Sequence, residues 1–248
     1  AIMRDESVRL GVSLSKGMAK NRGTISLTDV ENSLGMFVNI ESDMTNEGKI
    51  NINSNIAENT GNSQPVNVAM RADNQNVEVI NETSGAITID GAYAIGMLAN
   101  DGAKLTNKGK VATTSLSHGT GIMALKESTL INSGSIDLKG TDNIGVYLKN
   151  SKNTNSKLEN TSTVKITGDR SSGILVADSS LKYAGNTEIT GNNVAVIVVD
   201  KTSQVSGEGE EGKVKVGTKT AAAGEVTVGN DKKGSYGIIV QKGGILNL

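Results

Sequence analysis

"TLINSGSIDLKG", residues 129–140, sets an Asn two places before a Gly, alternates aliphatic and polar residues after it, and closes on a second Gly. Near copies stand at 44 ("MTNEGKININ"), 105 ("LTNKGKVATT") and 210 ("EEGKVKVG"). Alternation over three to six residues is the mark of a short half-buried strand, because successive side chains of a strand point to opposite faces. The aliphatic residue two places after the Gly, or its counterpart, falls at Ile25, Ile50, Ile87, Val111, Ile136, Val164, Ile189, Val214 and Val226. Successive intervals are 25, 37, 24, 25, 28, 25, 25 and 12, so five of the eight are 24 or 25 and a structural repeat is present. The interval of 37 equals 25 plus 12 and marks a loop insert near 53–65, "NSNIAENTGNSQP".

A second phrase lies between these landmarks: Gly, aliphatic, any residue, aliphatic. It reads "GVSL" at 11, "GMFV" at 35, "GMLA" at 96, "GIMA" at 121, "GVYL" at 145, "GILV" at 173 and "GIIV" at 237, with "VAVIVV" at 194 as a version without the Gly. No stretch carries an apolar stripe at helical spacing. A unit of two or three short strands cannot bury its apolar face alone, but it can when stacked on copies of itself. The expected fold is therefore all-β: a right-handed parallel β-helix, a solenoid of about eight or nine coils of roughly 25 residues.

In this scheme Gly sits where the chain takes positive φ or passes close to the next coil. The Asn of each coil stacks on the next in a hydrogen-bonded ladder. Aliphatics such as Ile136 and Leu138 point inwards, and Thr, Ser, Lys and Asp point outwards. Residues 1–10 read as a lead-in or the end of a preceding coil, 11–199 as coils, 200–230 as an irregular coil or protruding hairpin, and 231–248 as a further, truncated coil.

Composition narrows the function. The net charge of −1 argues against nucleic acid as a partner. The absence of Cys suits an exported cell-surface protein. Five aromatics (Phe37, Tyr93, Tyr147, Tyr183, Tyr236) leave burial to small aliphatics in a narrow interior. No apolar run is long enough to cross a bilayer as a helix, and no signal peptide opens the chain, so an interior fragment of a longer exported protein is expected.

Chemistry is sparse. A β-helix carbohydrate-active enzyme needs clustered carboxylates and aromatic platforms, yet the position of Asp137 holds Ala112 in the coil before and Lys165 in the coil after. His118, the one histidine, lies in a predicted turn, "LSHGTG", with no nucleophile motif to serve. The run Glu208, Glu210, Glu211 reads as a solvated loop, and "GDRSSG" at 168–173 as a turn. No catalytic, metal or cofactor site is expected, no cofactor is required, and the binding residues stay unassigned.

"GIMALKESTLINSGSIDLKG" and "IGVYLKNSKNTNSKLENTSTVKITG" resemble the passenger region of type V autotransporter adhesins, among them the large fusobacterial outer-membrane adhesins. The resemblance runs from 11 to about 248 and rests on motifs of architecture. It implies a monomeric exported rod at the cell surface, tethered to the outer membrane by a C-terminal β-barrel. Its partner would be a protein or glycan on host cells or other bacteria. A purely structural stalk is the alternative, and an enzyme the remote one.

Overall fold

A computed structural model describes residues 9–14, 16–54, 67–200, 203–207, 213–216, 226–228, 234–241 and 244–247. Among them every regular element is a β-strand, and every strand pairing is parallel. The strands build three ladders that share one axis, so the fold is the parallel β-helix expected from the repeat. Coil 1 contributes Arg9–Leu14 to face A, Gly17–Asn21 to face B and Thr24–Val30 to face C. Coil 5 repeats the order with Thr120–Leu125, Thr129–Asn132 and Ser135–Lys139. In coil 7 a single long strand, Ser172–Tyr183, serves faces A and B in turn. Face A carries nine rungs among the described residues, from Arg9–Leu14 to Tyr236–Val240, and at about 4.8 Å per rung the column is roughly 40 Å long.

The interior is a set of aliphatic columns. On face C, Ile50, Ile87, Val111, Ile136 and Val164 stack in register, each at most 1% exposed. On face A the column is Met36, Met70, Met97, Ile122, Val146 and Ile174. Methionine's unbranched chain fills the space that aromatic rings would otherwise take.

Two departures from the expected repeat are slips of two residues. Thr187, not Ile189, pairs with Val164, and Ile189 pairs with Ile166. Likewise Leu158, not an asparagine, stands in the asparagine column of coil 6. The ladder therefore runs from Asn21 through Asn46, Asn81 and Asn107 to Asn132, each Nδ2 donating to the next Oδ1 at 2.7–2.8 Å. There the Asn132 amide donates to Ser162 Oγ and the ladder ends. Leu158, Tyr183 and Gly207 then occupy its column.

Glycine's role divides between two positions of the quoted phrase. Gly134 lacks positive φ; a Cβ there would lie 2.1 Å from the Gly109 carbonyl oxygen of the coil below, so close approach excludes a side chain. Gly140, at the end of the phrase, turns the chain with φ of 116°.

Towards the C-terminal end, Lys213–Val216 and Val226–Val228 pair in parallel, Val214 opposite Val226. The two phrases only 12 residues apart thus follow one another on face C. A hairpin would require antiparallel strands, so these two strands do not form one. The insert at 53–65 lies outside the described residues except for Asn53 and Ser54, which end a face C strand. Much of 200–230, with Glu208, Glu210 and Glu211, lies outside them too.

Candidate binding surface

The corner between faces C and A brings together two of the residues singled out in the sequence, His118 and the arginine of "GDRSSG", whereas Asp137 lies away from it on face C. Tyr93, His118, Asp142, Arg170 and Asn193 occupy it coil by coil, each in the left-handed region with φ of 52–58°. The backbone N–H groups of the first four donate to carbonyls of the following coil, which holds the corner in register. The rings of Tyr93 and His118 stack at 5.0 Å and 10°. Asp142 accepts from Arg170 Nε at 2.8 Å and Nη2 at 2.6 Å. The Arg170 hydrogen bonds, and behind them the charges of Arg170 and His118, outweigh partial burial and hold Asp142 below the usual carboxylate range. Arg170 of "GDRSSG" is thus tied to the neighbouring coil, while Asp169 Oδ1 accepts from the Asn192 N–H at 2.7 Å.

At the corresponding corner Asp90 Oδ1 accepts from Thr113 Oγ1, both Thr114 donors and the Ser115 N–H, at 2.6–3.0 Å. Burial pushes its pKa up, and the combined hydrogen bonds more than offset this, leaving it below the ordinary 3.8. Asp137 stands on the outer side of face C between Ala112 and Lys165, as the sequence phrases imply. Among the described residues no group of three or more His, Cys, Asp or Glu side chains could hold a metal ion.

The outer sides of the three faces differ. Face B is laced with ion pairs along the rod: Lys20 and Arg22 with Glu47, Lys104 with Glu78, and Lys108 with Glu82, at 2.8–3.1 Å. Face C presents Lys49, Lys110, Thr163 and Lys165. Face A is different: its outward column runs Phe37, Arg71, Leu98, Met123, Tyr147, Leu175, Val198 and Ile239 in continuous register. Arg71 lies over the Phe37 ring at 5.8 Å, so even the one charge in the column is folded onto an aromatic. This corrects the expectation that outward positions are polar. All of these but Arg71, whose coil lacks the phrase, fill the third place of Gly-aliphatic-x-aliphatic or of its version without the Gly, the place read as free. From "GMFV" onwards that place is apolar in every copy, including Val198 of "VAVIVV". That was the signal available in the sequence.

In the outward column Phe37 and Arg71 are half-buried and Leu98 is buried, and a second column beside it is buried in coils 2–4. Leu34, Val68, Ile95 and Leu98 of coils 2–4 form a satellite apolar cluster with at most 9% exposure. Met123, Tyr147, Leu175, Val198 and Ile239 of coils 5–9 are half-buried, and Tyr236 is 58% exposed. Burial and, to a smaller degree, the Asp200 charge push the Tyr147 hydroxyl up.

No curated protein and no solved structure matches the chain. A family model does match, over residues 58–172, a stretch that reaches from before coil 3 to the first residue of coil 7, and the family is described as the BigA third pectate lyase-like domain.

Proposed function

We propose that the chain is a rod-like segment of a bacterial surface adhesin, exported through the outer membrane and displayed outside the cell. It attaches to proteins or glycans of host cells or other bacteria and performs no turnover. The observation that carries this reading is the match of residues 58–172 to a BigA domain model. It reaches the same class as the autotransporter-passenger likeness of the repeat phrases, by a separate route. The fusobacterial likeness belongs to those phrases alone. The pectate lyase-like label describes the coil architecture here: Asp137 has no carboxylate on either neighbouring rung, which speaks for attachment over sugar cleavage.

The test is saturable binding of the purified chain to host epithelial cells and to bacterial partners, alongside a variant lacking residues 55–65. Saturable binding lost with the deletion assigns attachment to the insert. Saturable binding kept by the variant leaves attachment with the rod itself. No binding to any surface by well-folded protein returns the stalk reading. Removing 200–230 is not a fair test, because that stretch supplies strands to faces B and C.

A further inference from the structure

We infer that face B of coil 6 is a strap that opens on its own while the rod stays closed, and that this strap is where a lysine-directed protease nicks the chain. Coil 6 runs through Ile144–Ser151 on face A, Lys157–Leu158 on face B and Thr163–Thr167 on face C. On faces A and C it pairs with coils 5 and 7 over five or six residues each. On face B the pairing shrinks to two residues on either side, Lys157 with Ile131 and Lys182, and Leu158 with Asn132 and Tyr183. Coils 4 and 5 share four pairs on that face, and so do coils 7 and 8.

Chain length and side-chain chemistry explain the short pairing. From Leu148 to Leu158 is ten residues, where the paired positions lie eight apart in coil 5 (Ala124, Asn132) and seven apart in coil 7 (Val176, Tyr183). From Leu158 to Val164 is six, against four from Asn132 to Ile136 and from Tyr183 to Thr187. The inward residues of this face change here as well. Leu158 stands where coils 1–5 have asparagine. Ser156, 1% exposed, lies between Leu130 and Leu181, in line with the aliphatic column of Met44, Val79, Leu105 and Leu130. Its Oγ accepts from the Leu130 N–H and its carbonyl from the Lys182 N–H, both at 3.0 Å. One column loses a leucine and the other its amide, in the same coil.

Local opening begins where backbone pairing is short and little apolar surface is buried. Between Leu148 and Val164 the only aliphatic or aromatic residue is Leu158. Lys149, Asn150, Lys152, Asn153 and Asn155 are exposed. Lys152 pairs with Asp178 of coil 7 at 2.7 Å, and the Asn153 N–H donates to Glu127 Oε2 of coil 5 at 3.2 Å. Both ties lie at the surface, where such contacts contribute little. Exposed, weakly held polar segments are the preferred sites of nicking, and Lys149, Lys152 and Lys157 supply the cleavable bonds. Faces A and C stay paired through coil 6, so the two halves remain joined after the cut. The inference rests on the stacking of the coils and not on the attachment reading, so either can fail alone.

Hydrogen exchange and limited trypsin digestion of the purified chain test it. Amides of 150–158 should exchange at least about tenfold faster than those of 126–132 and 178–183, the corresponding stretches of coils 5 and 7. Among cleavages between 67 and 200, the first should fall at Lys149, Lys152 or Lys157. The nicked chain should elute as the parent does and part only in denaturant. Ile131→Cys with Lys157→Cys places two thiols on paired residues about 4.8 Å apart, within reach of a disulfide in a chain that has no other cysteine. Oxidised, this variant should exchange over 150–158 at the rate of the neighbouring coils and resist the cut at Lys152; reduced, it should behave as the parent. Thr106→Cys with Ile131→Cys, which ties coil 4 to coil 5, should leave coil 6 unchanged. Exchange over 150–158 within about threefold of coils 5 and 7 overturns the inference. So does a first cut elsewhere between 67 and 200, separation of the nicked halves in native buffer, or a cut at Lys152 indifferent to the disulfide.

Discussion

At the scale of single residues the stack is governed by what lies one coil away. Gly121 has no positive φ, yet a Cβ there would lie 2.6 Å from the Gly145 carbonyl oxygen and 2.7 Å from Ile136 Cγ2. Gly121→Ala should therefore cost about 1–3 kcal/mol through overpacking. Gly23 has nothing within 4 Å of its missing Cβ, so Gly23→Ala should stay within about 0.5 kcal/mol of the parent in urea melts. Asp90 ties stability to pH. Its folded pKa lies below the ordinary 3.8, so its contribution is complete above that value and is lost as pH falls through the depressed one. Melting temperature should drop on acidification below about pH 4, and Asp90→Asn should flatten that part of the curve. An unchanged acid limb in the variant would show that other carboxylates carry it.

At the scale of elements the side-chain ladders matter more than strand propensity. Asn107 donates to Asn132 and accepts from Asn81 with no exposure to solvent. Asn107→Ala orphans both neighbours and should cost about 2–4 kcal/mol, whereas Asn21→Ala, at the partly exposed start of the ladder, should cost about 1 kcal/mol. Equal losses in denaturant titrations would mean the ladder does not act as a connected unit. Serine builds a second column on the opposite side of face B. Ser179 Oγ accepts from the Ser151 N–H, and Ser203 Oγ from the Ser179 N–H, at 3.0 and 3.2 Å. Where the asparagine ladder stops, coil 7 buries a different polar pair, Tyr183 donating to Thr187 Oγ1 at 3.0 Å. Burial pushes that tyrosine hydroxyl up, so it stays a neutral donor inside the column.

At the scale of the molecule, stability is nearly a sum of coils and the interfaces between them, so a defect in the middle should divide the rod. Ile136 is fully buried between Val111 and Val164. Ile136→Asp places a charge there without a partner and should cost more than about 4 kcal/mol. Its denaturant curve should split into two steps as the coils on either side unfold separately. Lys139→Ala, at an exposed position of the same strand, should match the parent. A single transition at the parental midpoint for Ile136→Asp would contradict the facing of the strand.

The solenoid was legible because its cause is local. Alternation names a strand and its buried face, and recurrence near 25 residues says that one unit must bury itself against the next. Register between coils was less legible, and the reason is the same alternation. A slip of one residue would turn Ile189 outwards, but the observed slip of two, which seats Thr187 against Val164, keeps every residue on its own side. Patterning is blind to it, and so to the end of the asparagine ladder at Leu158. Hydrogen bonding across coils decides it. The same limit applies to the surface. That Leu98, Met123, Tyr147 and Leu175 are apolar can be read from the chain, but that they stand side by side along one face is a fact of stacking. Single strands carry one such residue each; only the folded column makes them a surface.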